Sequence, residues 1–290
     1  MNNNNKYVAL VRREFWEHRS LWMAPVVAAG FLLLAAIFGA IHVGRDMSFT
    51  GAPQISGAAG RNIGGFSLLG ISIFLGIFAT MVTFSYLLDS LYAERKDRSI
   101  LFWKSLPVSD TETVLSKLAV GLVIVPLLAL AIAVVLQPLL AGIAWLRYEQ
   151  FRPVISGHLL LGSITALPQM LGTLLFTMLW YAPLAAYLML ASVLAKRTPL
   201  MYAALPPVVL TIAEKLTLDT GYVIHFVQER VFPWSSRMRN IVSDGSPAGW
   251  KTLDGRWWEL YQDPALWLGL AAAAGMLYIV IRLRRYRDDT

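Results

Sequence analysis

Four histidines, His18, His42, His158 and His225, are the only imidazoles in the chain, and they lie far apart in sequence. Metal binding and acid–base catalysis both need donors that converge, so each histidine reads as interfacial or structural rather than as a ligand. Cysteine is absent, which excludes thiolate nucleophiles, thiolate metal sites and disulfides. Ser246 stands among polar loop residues between Gly245 and Gly249, not at the end of a strand where a nucleophile elbow would hold it. No G-x-x-x-x-G-K-[ST] occurs, so the chain offers no phosphate cradle for ATP. Asp89 is the one acid read inside an apolar stretch. Headgroup contact or pairing with Arg95 accounts for it without a proton path.

The elements that must position these residues are long and apolar. Hydrophobic residues make up 57% of the 290 and charged residues only 15%, whereas soluble domains carry roughly 25% charged. Several apolar blocks exceed the roughly 20 residues that cross about 30 Å of hydrocarbon as a helix. The fold class that follows is an all-α integral membrane protein with six transmembrane helices, one transmembrane domain over residues 1–290. The spans are expected at 21–43, 67–88, 114–140, 164–194, 200–212 and 265–281. The fifth is short and contains Pro206-Pro207, which argues for a broken or partly re-entrant helix. The glycine-rich stretch 51–65 reads as a loop, and residues 141–157 as a return to water. Gly269 and Ala273 make a small-xxx-small spacing in the sixth span, the pattern that lets helices approach closely.

Residues 6–20 read as an N-terminal elbow helix lying in the headgroup plane. Val8, Val11 and Phe15 share one face there, with Arg12, Arg13, Glu14 and Glu17 on others. Residues 214–263 form an enlarged external segment rich in tryptophan, in which Val223, Phe226, Val227 and Val231 have the spacing of a short amphipathic helix. The formal net charge is +7, and its placement matters more than its size. Lys and Arg number four in the N-terminal stretch, five around the second-to-third connection, two at 196 and 197 and four in the C-terminal run, against four in the short connections of the other side. By the positive-inside rule both termini and the second-to-third connection are cytoplasmic. The excess charge marks membrane flanks rather than a nucleic-acid face.

That second-to-third connection holds the remaining unexplained surface. Asp97 can cap a short helix running to Ser105, and Pro107 forbids its simple continuation. Ser109 and Glu112 have the spacing of a capping box that starts the next helix. The short helix would carry Ile100, Leu101, Phe102 and Trp103 with Arg98, Ser99, Lys104 and Ser105 between them. Two turns are not stable alone. The headgroup layer, the chain's own helix ends or a separate soluble partner could cover these groups.

The stretch AERKDRSILFWKSLPVSDTETVLSKL resembles the second cytoplasmic region of ABC-2 type permeases. Glu94-Arg95, Leu101, Leu106-Pro107-Val108-Ser109 and Lys117 stand where that family's pattern places them, and the elbow, six spans and enlarged external segment agree with its layout. The resemblance implies that residues 97–105 are a coupling helix docking into a separately encoded ATPase subunit, with Pro107, Ser109 and Glu112 as its joint. It also implies a non-enzymatic transport subunit in a bacterial cytoplasmic (inner) membrane, exporting an unidentified amphipathic or hydrophobic substrate. The expected partners are a second permease copy or related chain, two ATPase copies that bind ATP and Mg, and membrane lipid; no cofactor is expected in this chain. The alternative is a polytopic membrane enzyme or a secondary transporter. Against these, the chain lacks converging catalytic groups, inverted repeats and ionisable residues deep in its spans.

Overall fold

The computed structural model describes residues 3–38, 57–97, 108–147, 152–155, 158–231 and 261–286. Among them every regular element is helical: α1 (Asn3–Glu17), α2 (Ser20–Phe38), α3 (Gly57–Lys96), α4 (Asp110–Ala119), a π-turn (Val120–Ile124), α5 (Val125–Arg147), α6 (Arg152–Ile155), α7 (His158–Leu194), α8 (Pro199–Leu218), α9 (Tyr222–Val231) and α10 (Pro264–Tyr286). Six stretches of the described residues are long and apolar enough to cross a membrane: Ser20–Phe38, Ser67–Lys96, Asp110–Arg147, Leu161–Leu194, Pro199–Leu218 and Pro264–Tyr286. This is the layout of a multi-pass membrane protein.

Two compact units divide the chain. The first comprises Met1–His18, Thr83–Val123 and Gly172–Thr290, and the second Arg19–Val82 and Ile124–Leu171. In the second unit α2 packs along α5. The buried faces are small, with Ala28 and Ala29 on α2 and Ala129 and Ala133 on α5, and small residues let helix backbones come close where lipid supplies no hydrophobic drive. Gln137 Nε2 donates to Ser67 Oγ at 2.6 Å, a hydrogen bond between α5 and α3.

Proline and glycine explain the irregularities of the third span, which passes through the π-turn. In the wider π register the donor due to the Gly121 carbonyl is residue 126, and proline has no N–H. Thr83 Oγ1 donates to that carbonyl instead, at 3.2 Å. A Cβ on Gly121 would lie 3.2 Å from Thr83 and Leu87 side-chain carbons, so the glycine is what lets α3 come near enough for the bond.

The fifth span corrects its expectation. α8 runs unbroken for 20 residues through Pro206 and Pro207. Pro207 leaves the Ala203 carbonyl without its helical donor, and Tyr187 Oη supplies one at 2.7 Å, the kind of substitution that lets proline sit inside membrane helices. Other limits shift as well. α3 begins at Gly57, within the stretch expected to be loop, and α5 continues to Arg147. The N-terminal helix ends at Glu17, and Glu214 belongs to α8, which runs on to Leu218. The expected amphipathic helix is present as α9. Glu214 caps its start by accepting from Tyr222 N, Val223 N and Thr220 Oγ1. Trp234, Trp250, Trp257 and Trp258 lie outside the described residues.

α9 is stapled to its neighbours by a buried arginine. Arg230 lies 4.3 Å from the Trp180 ring centroid and 5.7 Å from that of Phe226, and it donates to the carbonyls of Trp180 and Ala265. Burial holds its guanidinium below the ordinary arginine range, and the two rings supply the cation–π attraction that offsets part of that desolvation. A Cβ on Gly269 would sit 2.5 Å from the guanidinium. The glycine at this position therefore makes room for Arg230, a more particular duty than the generic small-residue contact. Gly269→Ala is expected to lower stability by about 1–3 kcal/mol. Adding Arg230→Ala to it should cost less than the sum of the two single changes in a thermal-melting cycle. Simple additivity would show that the glycine and the arginine do not compete for the same space.

Candidate functional site

The segment between the second and third spans has both ends fixed in the first unit by charge. Asp97 N–H donates to the Ala93 carbonyl and closes the last turn of α3. Residues 98–107, which include Arg98, Ser99, Ile100, Leu101, Phe102, Trp103, Lys104, Ser105 and Pro107, lie outside the described residues. The chain is described again at Val108 and Ser109. There the expected capping box is formed: Glu112 N–H donates to Ser109 Oγ at 3.2 Å, and Ser109 N–H donates to Glu112 Oε2 at 2.8 Å. Lys6 of α1 holds the same Glu112 carboxylate at 2.7 Å, so the box is also tied to the N-terminal helix.

Behind the cap lies a buried ionic cluster. Lys117, two turns into the third span, is 0% exposed. Its Nζ donates to both oxygens of Glu14 on α1 at 3.0 Å and lies 3.2 Å from Glu94 at the end of α3. Tyr86, two turns before Glu94, donates its hydroxyl to Glu14 at 2.7 Å. Arg13 reaches Glu94 at 3.1 Å and Glu17 at 2.8 Å. From the far end of the sequence, Arg284 on α10 pairs with Glu94 at 2.9 Å and with Asp110 at 3.1 Å. Glu94 is thus the hub, with three cations against its carboxylate. Three cations, Arg13, Lys117 and Arg284, thus face four carboxylates, Glu14, Glu17, Glu94 and Asp110.

The neighbouring Arg95 goes elsewhere. It donates to the carbonyls of Ser192 and Ala195, at the end of α7, where helix carbonyls lack backbone donors. Asp89 is exposed. The Glu94-Arg95 pair therefore anchors the start of the segment to four elements, Glu94 to α1, α4 and α10, and Arg95 to the end of α7. Arg284 holds the two shoulders together, because Glu94 precedes the 98–107 stretch and Asp110 follows it.

Several of these groups were not identified from the sequence. Glu14 was assigned to a polar face of α1, yet it is 1% exposed. The helix turns Leu10, Arg13 and Glu14 inward and leaves Tyr7, Val8 and Trp16 exposed. Tyr86, Asp110 and Arg284 carried no local pattern. The available signal was Lys117 itself: a lysine followed by LAVGLVI has no water to reach and needs an anion. His18 packs edge-on against Tyr86 at 4.9 Å. Its imidazole is held below its ordinary value of 6.5, first by desolvation and then by the nearby Lys117. Glu14, Glu17 and His18 bring donor atoms within 4.8 Å of one another, but Lys117 and Tyr86 already occupy the Glu14 carboxylate.

The cluster is suited to holding helix ends together, because its cations are paired and it offers no labile nucleophile. The fold and site define a helical, multi-pass membrane protein with an ion-paired junction at one end. Compared with protein-family models, with curated proteins and with solved structures, the chain matches none.

Proposed function

We propose that the chain is the transmembrane permease subunit of an ABC-2 type exporter and that residues 97–105 are its coupling helix. The observation that carries this reading is the junction just described: both shoulders of the segment, Glu94 and Asp110, are fixed to one arginine, and Glu94 to a buried lysine. A segment that receives force from a soluble partner needs a base that does not yield. A buried, ion-paired cluster supplies one, since its parts separate only at the cost of stranding a charge. The aromatic pair Phe102 and Trp103 provides anchors of the kind that dominate protein interfaces, and the residue pattern from Glu94 to Lys117 supports the same role. ATP and Mg are bound by two copies of the partner ATPase. A second permease copy or a related chain completes the pathway, and an amphipathic or hydrophobic substrate leaves the inner leaflet or cytoplasm of a bacterial inner membrane.

A soluble ATPase encoded beside this chain is expected to co-purify with it from membranes. Phe102→Asp with Trp103→Asp should abolish that association, by more than about 2 kcal/mol for the two anchors, while the permease remains inserted and keeps its melting temperature. Undiminished co-purification of the double variant would remove the coupling assignment.

A further inference from the structure

Within the C-terminal run RLRRYR, the three arginines that belong to α10 divide between two faces of the helix. Arg284 points inward to Glu94 and Asp110, while Arg282 and Arg285 are exposed. Tyr278, Arg282 and Tyr286 follow one another at helical four-residue spacing. Arg282 Nε donates to Tyr278 Oη at 2.9 Å and its NH1 to Tyr286 Oη at 3.4 Å. The Arg285 guanidinium lies 5.9 Å from the Tyr286 ring centroid. Among the described residues neither Arg282 nor Arg285 is paired with a carboxylate. Tyr278 and Tyr286 are 58% and 68% exposed, and Ile279 beside Tyr278 is exposed too.

Arg284 fixes the depth of this patch. Its partners are the last turn of the second span and the first turn of the third, so Arg282 and Arg285 stand where α10 leaves the hydrocarbon. Tyrosine favours that level. We infer that the outward face of α10, with Arg282 and Arg285 as its phosphate-reading groups, binds the headgroup of an anionic membrane lipid. The two tyrosine hydroxyls hold the Arg282 fork in place before the lipid arrives, so less side-chain entropy is lost on binding. Its remaining N–H donors match phosphate oxygens. Tyr278 and Ile279, one turn deeper, offer apolar surface to the acyl chain. A soluble anion would gain only the arginines. A lipid gains both parts of the patch, which is why the occupant is lipid.

Native mass spectrometry of the detergent-purified full chain, titrated with phosphatidylglycerol or phosphatidylcholine, tests this directly. The wild type is expected to retain phosphatidylglycerol in preference to phosphatidylcholine. Retention should weaken about fivefold for each arginine removed in Arg282→Gln and Arg285→Gln, and weaken to a smaller extent in Arg282→Lys with Arg285→Lys, which keeps the charge and loses the fork. Equal retention of the two lipids by the wild type, or undiminished retention by the double glutamine variant, would overturn the site. Displacement of bound lipid by millimolar inorganic phosphate would overturn the lipid as its occupant. The lysine variant keeps the test decisive if the glutamine variant loses its fold.

Discussion

Replacing Lys117 with methionine is expected to destabilise the protein by about 3–5 kcal/mol, the cost of breaking a buried ion pair from one side. For a chain of this size that is a fall in melting temperature on the order of 10 °C. The reason is what stays behind. Methionine nearly fills the volume of the lysine stem, so packing is not the main loss. Glu14, 1% exposed, would keep the Tyr86 hydroxyl but lose the cation that balances it, and Glu94 would lose one of three. The second half of the prediction separates charge from shape. Lys117→Met with Glu14→Gln removes one charge of each sign and keeps the side-chain volumes, so the double variant should melt well above the Lys117→Met single variant. The general behaviour of buried pairs, in which exchanging both partners for neutral groups is far milder than removing one, points the same way. The measurement is thermal melting of the detergent-purified chain by intrinsic tryptophan fluorescence or differential scanning. A Lys117→Met protein that melts with the wild type would show that the cluster contributes no stability, and the rigid base proposed for the 97–107 segment would go with it.

What could be read in the sequence and what could not follows the range of the interactions. The spans were legible because an apolar run is its own signal: five of the six expected ranges fall within the candidate spans, and the first extends past the described residues after Phe38. The Ser109–Glu112 cap was legible because its partners are three residues apart and the side chains compete for neighbouring amides. Pro206-Pro207 misled because what keeps the helix intact lies outside it in sequence. The donor that replaces a lost N–H comes from Tyr187, on the preceding span. Glu14 misled for a related reason. Helical periodicity sorts apolar from charged faces and sends charge outward, whereas α1 sends Glu14 inward because Lys117, 103 residues later, waits there. Arg284 and Asp110 are 174 residues apart, and nothing local in the sequence pairs them. One part of the cluster was nonetheless implicit: Lys117 stands inside a stretch read as apolar, and a cation there requires an anionic partner.

Arg284→Met carries the second large effect, and its consequence is local. Arg284 holds both Glu94 and Asp110, so its loss should release the shoulders of the 98–107 stretch from each other while leaving Lys117 on Glu14 and Glu94. Asp110, partly exposed and in the first turn of α4, is tolerated there by the helix N-terminus. Glu94, 6% exposed, bears most of the penalty, expected at about 2–4 kcal/mol. Hydrogen exchange resolves where that energy was stored. Amides at 94–97 and 109–113 should exchange faster by roughly tenfold or more in Arg284→Met, each tenfold being about 1.4 kcal/mol of local opening. Amides around Trp180 and Arg230, elsewhere in the same unit, should keep their wild-type rates. Adding Glu94→Gln to Arg284→Met restores the charge balance of the cluster and should recover part of the lost stability, although it removes a second native pair. A uniform increase in exchange across the first unit would mean that Arg284 supports the fold in general. Unchanged exchange at 109–113 would mean that the arginine does not join the two shoulders at all. Faster exchange confined to those shoulders is the outcome a transmitting junction requires, because a segment that passes force to the third span must be stiffer with Arg284 than without it.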